Sequence, residues 1–160
     1  MRSSEDPANP SWRLRSAGIV LPEPPTPIAQ FVNHKQVGNL LFISGQGPRE
    51  ANGVCHAGKV GVDVSLEAAR AHARLAGINL ISVAQEALGD LGRVESVVKL
   101  LGMVNASPDF SDHPKVIDGC SELFVEIFGG AGTHARSAVG VSSLPNNFTV
   151  EIEAILAVRT

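Results

Sequence analysis

Arg136 opens a run of small residues, in THARSAVGV at 133–141, and Glu151 and Glu153 follow on what reads as the next strand. A guanidinium grips a carboxylate through two parallel N–H groups, which a lysine cannot match. A nearby glutamate can position or activate water. The short turn at 144–147 predicts that segments 136–142 and 149–158 are antiparallel neighbours. That would bring Arg136 close to Glu151 and Glu153 on one sheet face. Two readings stay open: a cross-strand ion pair, or an arginine that binds a carboxylate beside a glutamate that works on water.

Other constellations are weaker. His34, His56, His72, His113 and His134 show no H-x-x-x-H or H-x-H spacing, so a metal site is not expected. His72, flanked by Arg70 and Arg74, reads as part of a solvated helix face. GKVGV at 58–62 lacks the Ser or Thr that a phosphate loop places after its lysine, and GQGPRE at 45–50 leads into a loop rather than a helix. No G-x-S-x-G elbow is present, and Ser44 has no base evident in the sequence. Cys55 and Cys120 are far apart and read as free thiols of a reducing compartment.

Composition narrows the partners. The net charge is -3, aromatic residues make up 4%, and no basic run occurs, which argues against a nucleic-acid surface. No apolar stretch is long enough for a spanning helix, and the N-terminus lacks the apolar region of a secretory signal. A soluble cytoplasmic protein without membrane association is expected.

The elements that must position these residues follow from periodicity. Residues 1–27 hold most of the ten prolines, including PEPPTP at 22–27, and read as a tail or extended edge that builds no helix. One domain is expected over 28–160. NLLFIS at 39–44 reads as a buried strand, partnered through Gly38-Asn39 by a strand near 31–35. Ser65 caps a helix whose apolar positions recur from Leu66 to Ala87, with Gly89 as its stop. A strand at 94–106 precedes a second helix that starts near Pro114 and stops at Gly129-Gly130. Along the last strand, Val150, Ile152, Ala154, Leu156 and Val158 share one face. The fold class is α+β, ordered β-β-α-β-α-β-β, with one mixed sheet and two helices on one face. The other face, assigned Ala138, Gly140, Ile155 and Ala157, is too bare to leave wet and predicts a cyclic oligomer.

SGQ at 44–46, GDLGRV with its following valines and lysine at 89–99, PDF at 108–110, HARSAVGV at 134–141, and LP followed by VEIEAI resemble the Rid (YjgF) family, in its chorismate-mutase-like subgroup. The resemblance runs in order from about Ile28 to Val158. It implies a chorismate-mutase-like homotrimer with three clefts between subunits and no cofactor. It also implies hydrolysis of reactive enamines and imines, such as 2-aminoacrylate, to a 2-keto acid and ammonia. Carried over by position, Arg136 holds the substrate carboxylate and Glu151 orients the attacking water, while Ser44 and Gly45 line the cleft. Three positions depart from the family pattern: Phe31 stands for a tyrosine, Ala138 for a cysteine, and Asp118 for an asparagine. An aspartate there sets a negative charge near an anionic substrate.

The leading expectation is therefore a deaminase acting on a small carboxylate-bearing imine. The alternative is a non-catalytic module that binds a small carboxylate or keto acid. Ribonuclease activity fits neither the acidic balance nor the lack of a histidine pair or basic stripe. Chorismate mutase chemistry does not follow from a shared fold.

Overall fold

The computed structural model describes residues 5–160. The chain order is α1 (Pro10–Ser16), β1 (His34–Val37), β2 (Leu40–Gln46), α2 (Leu66–Leu88), β3 (Val94–Asn105), α3 (His113–Phe128), β4 (Ala135–Val141) and β5 (Val150–Val158). The long helix forms where its caps and stripe require. Ser65 Oγ accepts the Ala68 N–H at 3.1 Å. Gly89, at a φ of 71°, takes the left-handed turn that closes the helix. The first hairpin turns at Gly38-Asn39 as expected, but β1 begins at His34 rather than near 31.

The sheet order is β1-β2-β5-β3-β4, so the expected pairing of the last two strands does not occur. β3 lies between them, antiparallel to β5 and parallel to β4. A parallel pair needs a crossover, and α3 supplies it. The connection at 142–149 is no tight hairpin. Its Asn146 and Asn147 have φ of 55° and 56°. The Gly58 N–H donates to the Asn147 carbonyl at 2.9 Å, and the Thr149 N–H to that of His56 at 3.3 Å. Held by that loop, the chain passes the end of β3 before β5 enters the sheet.

α2 and α3 cover one face of the sheet, over a core that includes Leu41, Leu80, Leu100, Phe124, Ile127, Ile152 and Leu156. Burial alternates along β5 as its sequence pattern requires. α3 lies unusually close to its neighbours. A Cβ on Gly119 would sit 2.1 Å from the Arg70 carbonyl oxygen of α2, and one on Gly102 of β3 would meet Ile117 at 2.5 Å. Without side chains at those two positions, α3 meets the α2 backbone at Gly119, and the Ile117 side chain settles on the β3 backbone at Gly102.

A third helix corrects the expectation that residues 1–27 form none. In α1, Pro10 occupies the first turn, where its missing N–H costs nothing, and Asn9 caps the helix. Leu14 is 5% exposed and belongs to the core, and α1 packs against α3. The prolines that follow run extended over the body. The Pro22 carbonyl accepts from Ser82 of α2, and the Pro25 carbonyl accepts from Asn33 at 2.7 Å. Among the described residues, no helix is long and apolar enough to cross a membrane.

Gly119→Ala should lower stability by about 1–3 kcal/mol, because a backbone oxygen cannot step aside as a side chain can; an unchanged melting temperature would contradict the close crossing. Leu14→Ala should cost about 2 kcal/mol or more in denaturant unfolding if α1 is part of the folded body, and close to nothing if it is a loose appendage.

Candidate functional site

Arg136 stands opposite Leu100 of β3, a fully buried residue, and so faces the helices rather than the open side. Its Nη1 donates to Asp118 Oδ1 at 2.8 Å and to Ser121 Oγ at 3.1 Å, both on α3. Asp118 Oδ2 also lies 3.9 Å from Nη1 of Arg70, which is itself paired with Glu122. Nε and Nη2 of Arg136 donate to no acceptor among the described residues. Ala138 follows on the same face, beside Gly102, and Gly140 lies beneath His113, whose Nε2 would be 2.3 Å from a Cβ there. Ala138 and Gly140 therefore belong to the helix side, not to the bare face.

Ser121 is the second residue that holds Arg136, and it is in turn held by His134. His134 Nδ1 is 2.6 Å from the Gly132 carbonyl and Nε2 is 2.9 Å from Ser121 Oγ. A carbonyl can only accept, so Nδ1 carries a proton; in that singly protonated tautomer Nε2 is the acceptor for the serine hydrogen. Cys120, next to Ser121 on α3, packs its sulfur against Gly77 of α2; burial pushes its thiol far up, against a weaker pull from Arg136. That thiol stays protonated and is no nucleophile.

Glu151 belongs to a separate group on the open face. A Cβ on Gly45 would lie 2.9 Å from Glu151 Cδ, so the glycine lets the carboxyl rest on the β2 backbone. Gly45 and Ser44 sit where the β2–β5 register shifts, in a bulge between Ile43 and Gln46. Ser44 Oγ donates to the Val32 carbonyl at 2.7 Å, which ties the bulge to the segment carrying Phe31. Phe31 is 51% exposed at this rim. Burial raises the pKa of Glu151, and the neighbouring Glu153 adds to the rise. Among the described residues, its carboxylate accepts no hydrogen bond.

The sequence-predicted residues thus form two groups: Arg136, Asp118 and Ala138 in one, and Glu151, Ser44, Gly45 and Phe31 in the other. Arg136 and Glu151 lie two strand spacings and three register positions apart, roughly 14 Å between backbones, and point to opposite faces. The cross-strand ion pair between them is overturned, because β3 intervenes; the partner of Arg136 is Asp118. Ser121 and His134 did not stand out in the sequence. The signal was present, since Ser121 is three residues after Asp118 and shares its helix face, while His134 lies two before Arg136.

His72 is not simply solvated. Its ring stacks on His56, with centroids 4.3 Å apart and planes 15° from parallel. His72 Nδ1 bonds Thr149 Oγ1 at 2.9 Å, and His56 Nε2 bonds Glu50 at 2.9 Å. Burial, then His56, lowers the pKa of His72 against a pull from Glu50. Rings in contact leave no gap in which a phosphodiester could sit between an acid and a base.

The sequence profile of the family described as "YjgF/chorismate mutase-like, putative endoribonuclease" matches residues 11–155. Protein TCP17 of Trypanosoma cruzi is 40% identical over 144 residues, covering 89% of this chain and 90% of that protein. A 2-iminobutanoate/2-iminopropanoate deaminase of Dermatophagoides farinae is 33% identical over 142 residues, covering 88% and 95% respectively. A crystal structure of a protein of unknown function from Agrobacterium tumefaciens superposes with a TM-score of 0.87 at 39% identity, covering 94% of each chain.

The raised pKa of Glu151 means that the folded chain keeps this proton to higher pH than the unfolded chain does. Stability is therefore lost as pH rises through the folded pKa, and below the ordinary carboxylate range no loss remains. Glu151→Gln should melt above the wild type near pH 8 and equal to it near pH 3.5. An identical gain at both pH values would show that charge is not the cause.

Proposed function

The chain belongs to the Rid (YjgF) family, and on that footing we propose that it hydrolyses small enamines and imines carrying a carboxylate, such as 2-aminoacrylate and its imine, to a 2-keto acid and ammonia. The observation that carries this reading is the half-committed guanidinium of Arg136. Nη1 is occupied by Asp118 and Ser121, while Nε–H and one Nη2–H lie parallel and match a carboxylate side-on. The homology to an imine deaminase supports the same reading.

The chemistry asks little of the protein. The enamine gains a proton at carbon and loses one from nitrogen to solvent, which gives the imine. Water then attacks the imine carbon: a C–O bond forms, and the C=N π pair moves to nitrogen, which takes a proton. Glu151, with its raised pKa and free carboxylate, receives the proton that the water loses. In the collapse of the carbinolamine, Glu151 returns its proton to the nitrogen, the C–N bond breaks and ammonia leaves, and the hydroxyl gives its proton back to Glu151 as the carbonyl forms. Ser44 and Gly45 supply the wall beside Glu151, Phe31 an apolar rim, and Ala138 open space near the arginine. No cofactor takes part.

Because the two groups lie on opposite faces of one sheet, this chemistry needs the Arg136 group of one copy beside the Glu151 group of another. Arg136 stands on the edge strand β4, and the open face carries exposed Phe42 and Val139, so seating the β4 edge of one copy against the open face of another would join the halves. A homotrimer with three such clefts is the assembly we infer.

A second reading is favoured by Asp118, whose charge beside Arg136 opposes the pull on an anion: a keto-acid binding module without turnover. RNA cleavage has no such support: among the described residues, the close pair His56 and His72 is stacked and tied to Glu50 and Thr149.

Ammonia release from enzymically generated 2-aminoacrylate should exceed the buffer rate. Arg136→Ala should lower kcat/KM by about thirtyfold or more, equivalent to roughly 2 kcal/mol, and Glu151→Gln should lower kcat by about a hundredfold. Binding of 2-ketobutyrate that is lost in Arg136→Ala, with no turnover of any imine, would favour the module. Light scattering that shows a monomer at micromolar concentration would remove the shared cleft.

A further inference from the structure

We propose that His134 is a positioning residue: through Ser121 it sets the plane of the Arg136 guanidinium and so presents the Nε–Nη2 edge to a ligand carboxylate. The inference rests on the reading of Arg136 as the carboxylate anchor. The chain of bonds is continuous. The Gly132 carbonyl accepts from His134 Nδ1 at 2.6 Å. His134 Nε2 accepts the Ser121 hydroxyl hydrogen at 2.9 Å. Ser121 Oγ, its hydrogen thereby directed away, offers lone pairs to Arg136 Nη1 at 3.1 Å.

Asp118 alone fixes one point of the guanidinium, about which the plane can still swing. With Ser121 as a second acceptor, both hydrogens of Nη1 are committed and the plane is held. The ring of His134 is itself wedged edge-on against Phe124, with centroids 6.3 Å apart at 82°. Phe124 is a core residue, 1% exposed, so the relay is anchored to the rigid part of the fold. A serine without the histidine acceptor could turn its hydrogen toward Arg136, and two donors would then face each other. The imidazole removes that alternative.

The test has two readouts. In ligand-free protein, long-range nitrogen–proton NMR should show His134 as the Nδ1-protonated tautomer and a resolved Arg136 Nε–H resonance. His134→Leu should broaden that resonance without moving the melting temperature by more than a few degrees. By calorimetric titration with 2-ketobutyrate, His134→Leu and Ser121→Ala should each raise Kd about fivefold, the worth of one hydrogen bond. His134→Gln, which keeps an acceptor, should bind within about twofold of wild type. The double variant His134→Leu/Ser121→Ala should bind no more weakly than Ser121→Ala alone.

Additive effects in the double variant, equal loss in His134→Gln and His134→Leu, or wild-type binding by His134→Leu would each overturn the relay. If wild type and Arg136→Ala bind 2-ketobutyrate alike, the anchor reading falls instead. The NMR signature separates that case, because it depends on the relay and not on the ligand.

Discussion

The closeness of α3 to everything it touches is the constraint from which the rest of the architecture follows. Gly119 brings α3 to within backbone distance of the Arg70 carbonyl on α2, and Gly102 lets Ile117 settle onto β3. Gly140 does the same for His113 over β4. These seats fix the helix in depth as well as in direction. Asp118 and Ser121 project from the same stretch of α3 that Gly119 and Ile117 anchor. Their reach to Arg136, 2.8 and 3.1 Å, is therefore set by packing and not by the flexibility of long side chains. The crossover that α3 provides also makes β4 parallel to β3 and leaves it as the sheet edge. One helix thus decides both where the arginine is held and which border of the molecule it occupies.

How much of this was legible in the sequence depended on whether a signal was local. The α2 helix carries its start in Ser65, its stop in Gly89 and its stripe between them, and the structure follows each. The alternation on β5 likewise assigns its buried face. Strand adjacency is a different kind of question. A turn of a few residues at 144–147 suggests neighbours, yet the loop is held by His56, Ala57 and Gly58, far away in sequence, and passes over β3. From that one misplaced adjacency followed the wrong face for Arg136, Ala138 and Gly140. The α1 helix was missed for another reason: a count of prolines treats Pro10 as a breaker, whereas at a first helical position it starts the helix.

The candidate site shows the same division. Arg136 and Glu151 stand out by residue type and by family resemblance, but their partners do not. Asp118 was visible only as a departure from a family pattern, with no hint that it would pair with Arg136. Ser121 and His134 are ordinary residues until α3 and the start of β4 are brought together. The stacked pair of His56 and His72 depends on a loop returning to a helix face, and no spacing rule anticipates it.

The pairing of Arg136 with Asp118 changes what the cation can do. A lone guanidinium attracts any anion at long range, whereas one beside a carboxylate at 2.8 Å has little net charge to offer a distant ligand. What remains is directional: two parallel N–H groups at fixed positions, valuable only to a group whose oxygens match them. As the carboxylate anchor proposed above, such a group would trade strength of attraction for shape, favouring planar carboxylates whose two oxygens match its donors. The opposite arrangement holds at Glu151, where burial and Glu153 oppose the charged form and no donor stabilises it. The chain therefore keeps its cation quenched and oriented on one face and an unpaired carboxyl on the other. An ion pair between them would remove both properties, and the intervening strand β3 is what keeps Arg136 and Glu151 apart.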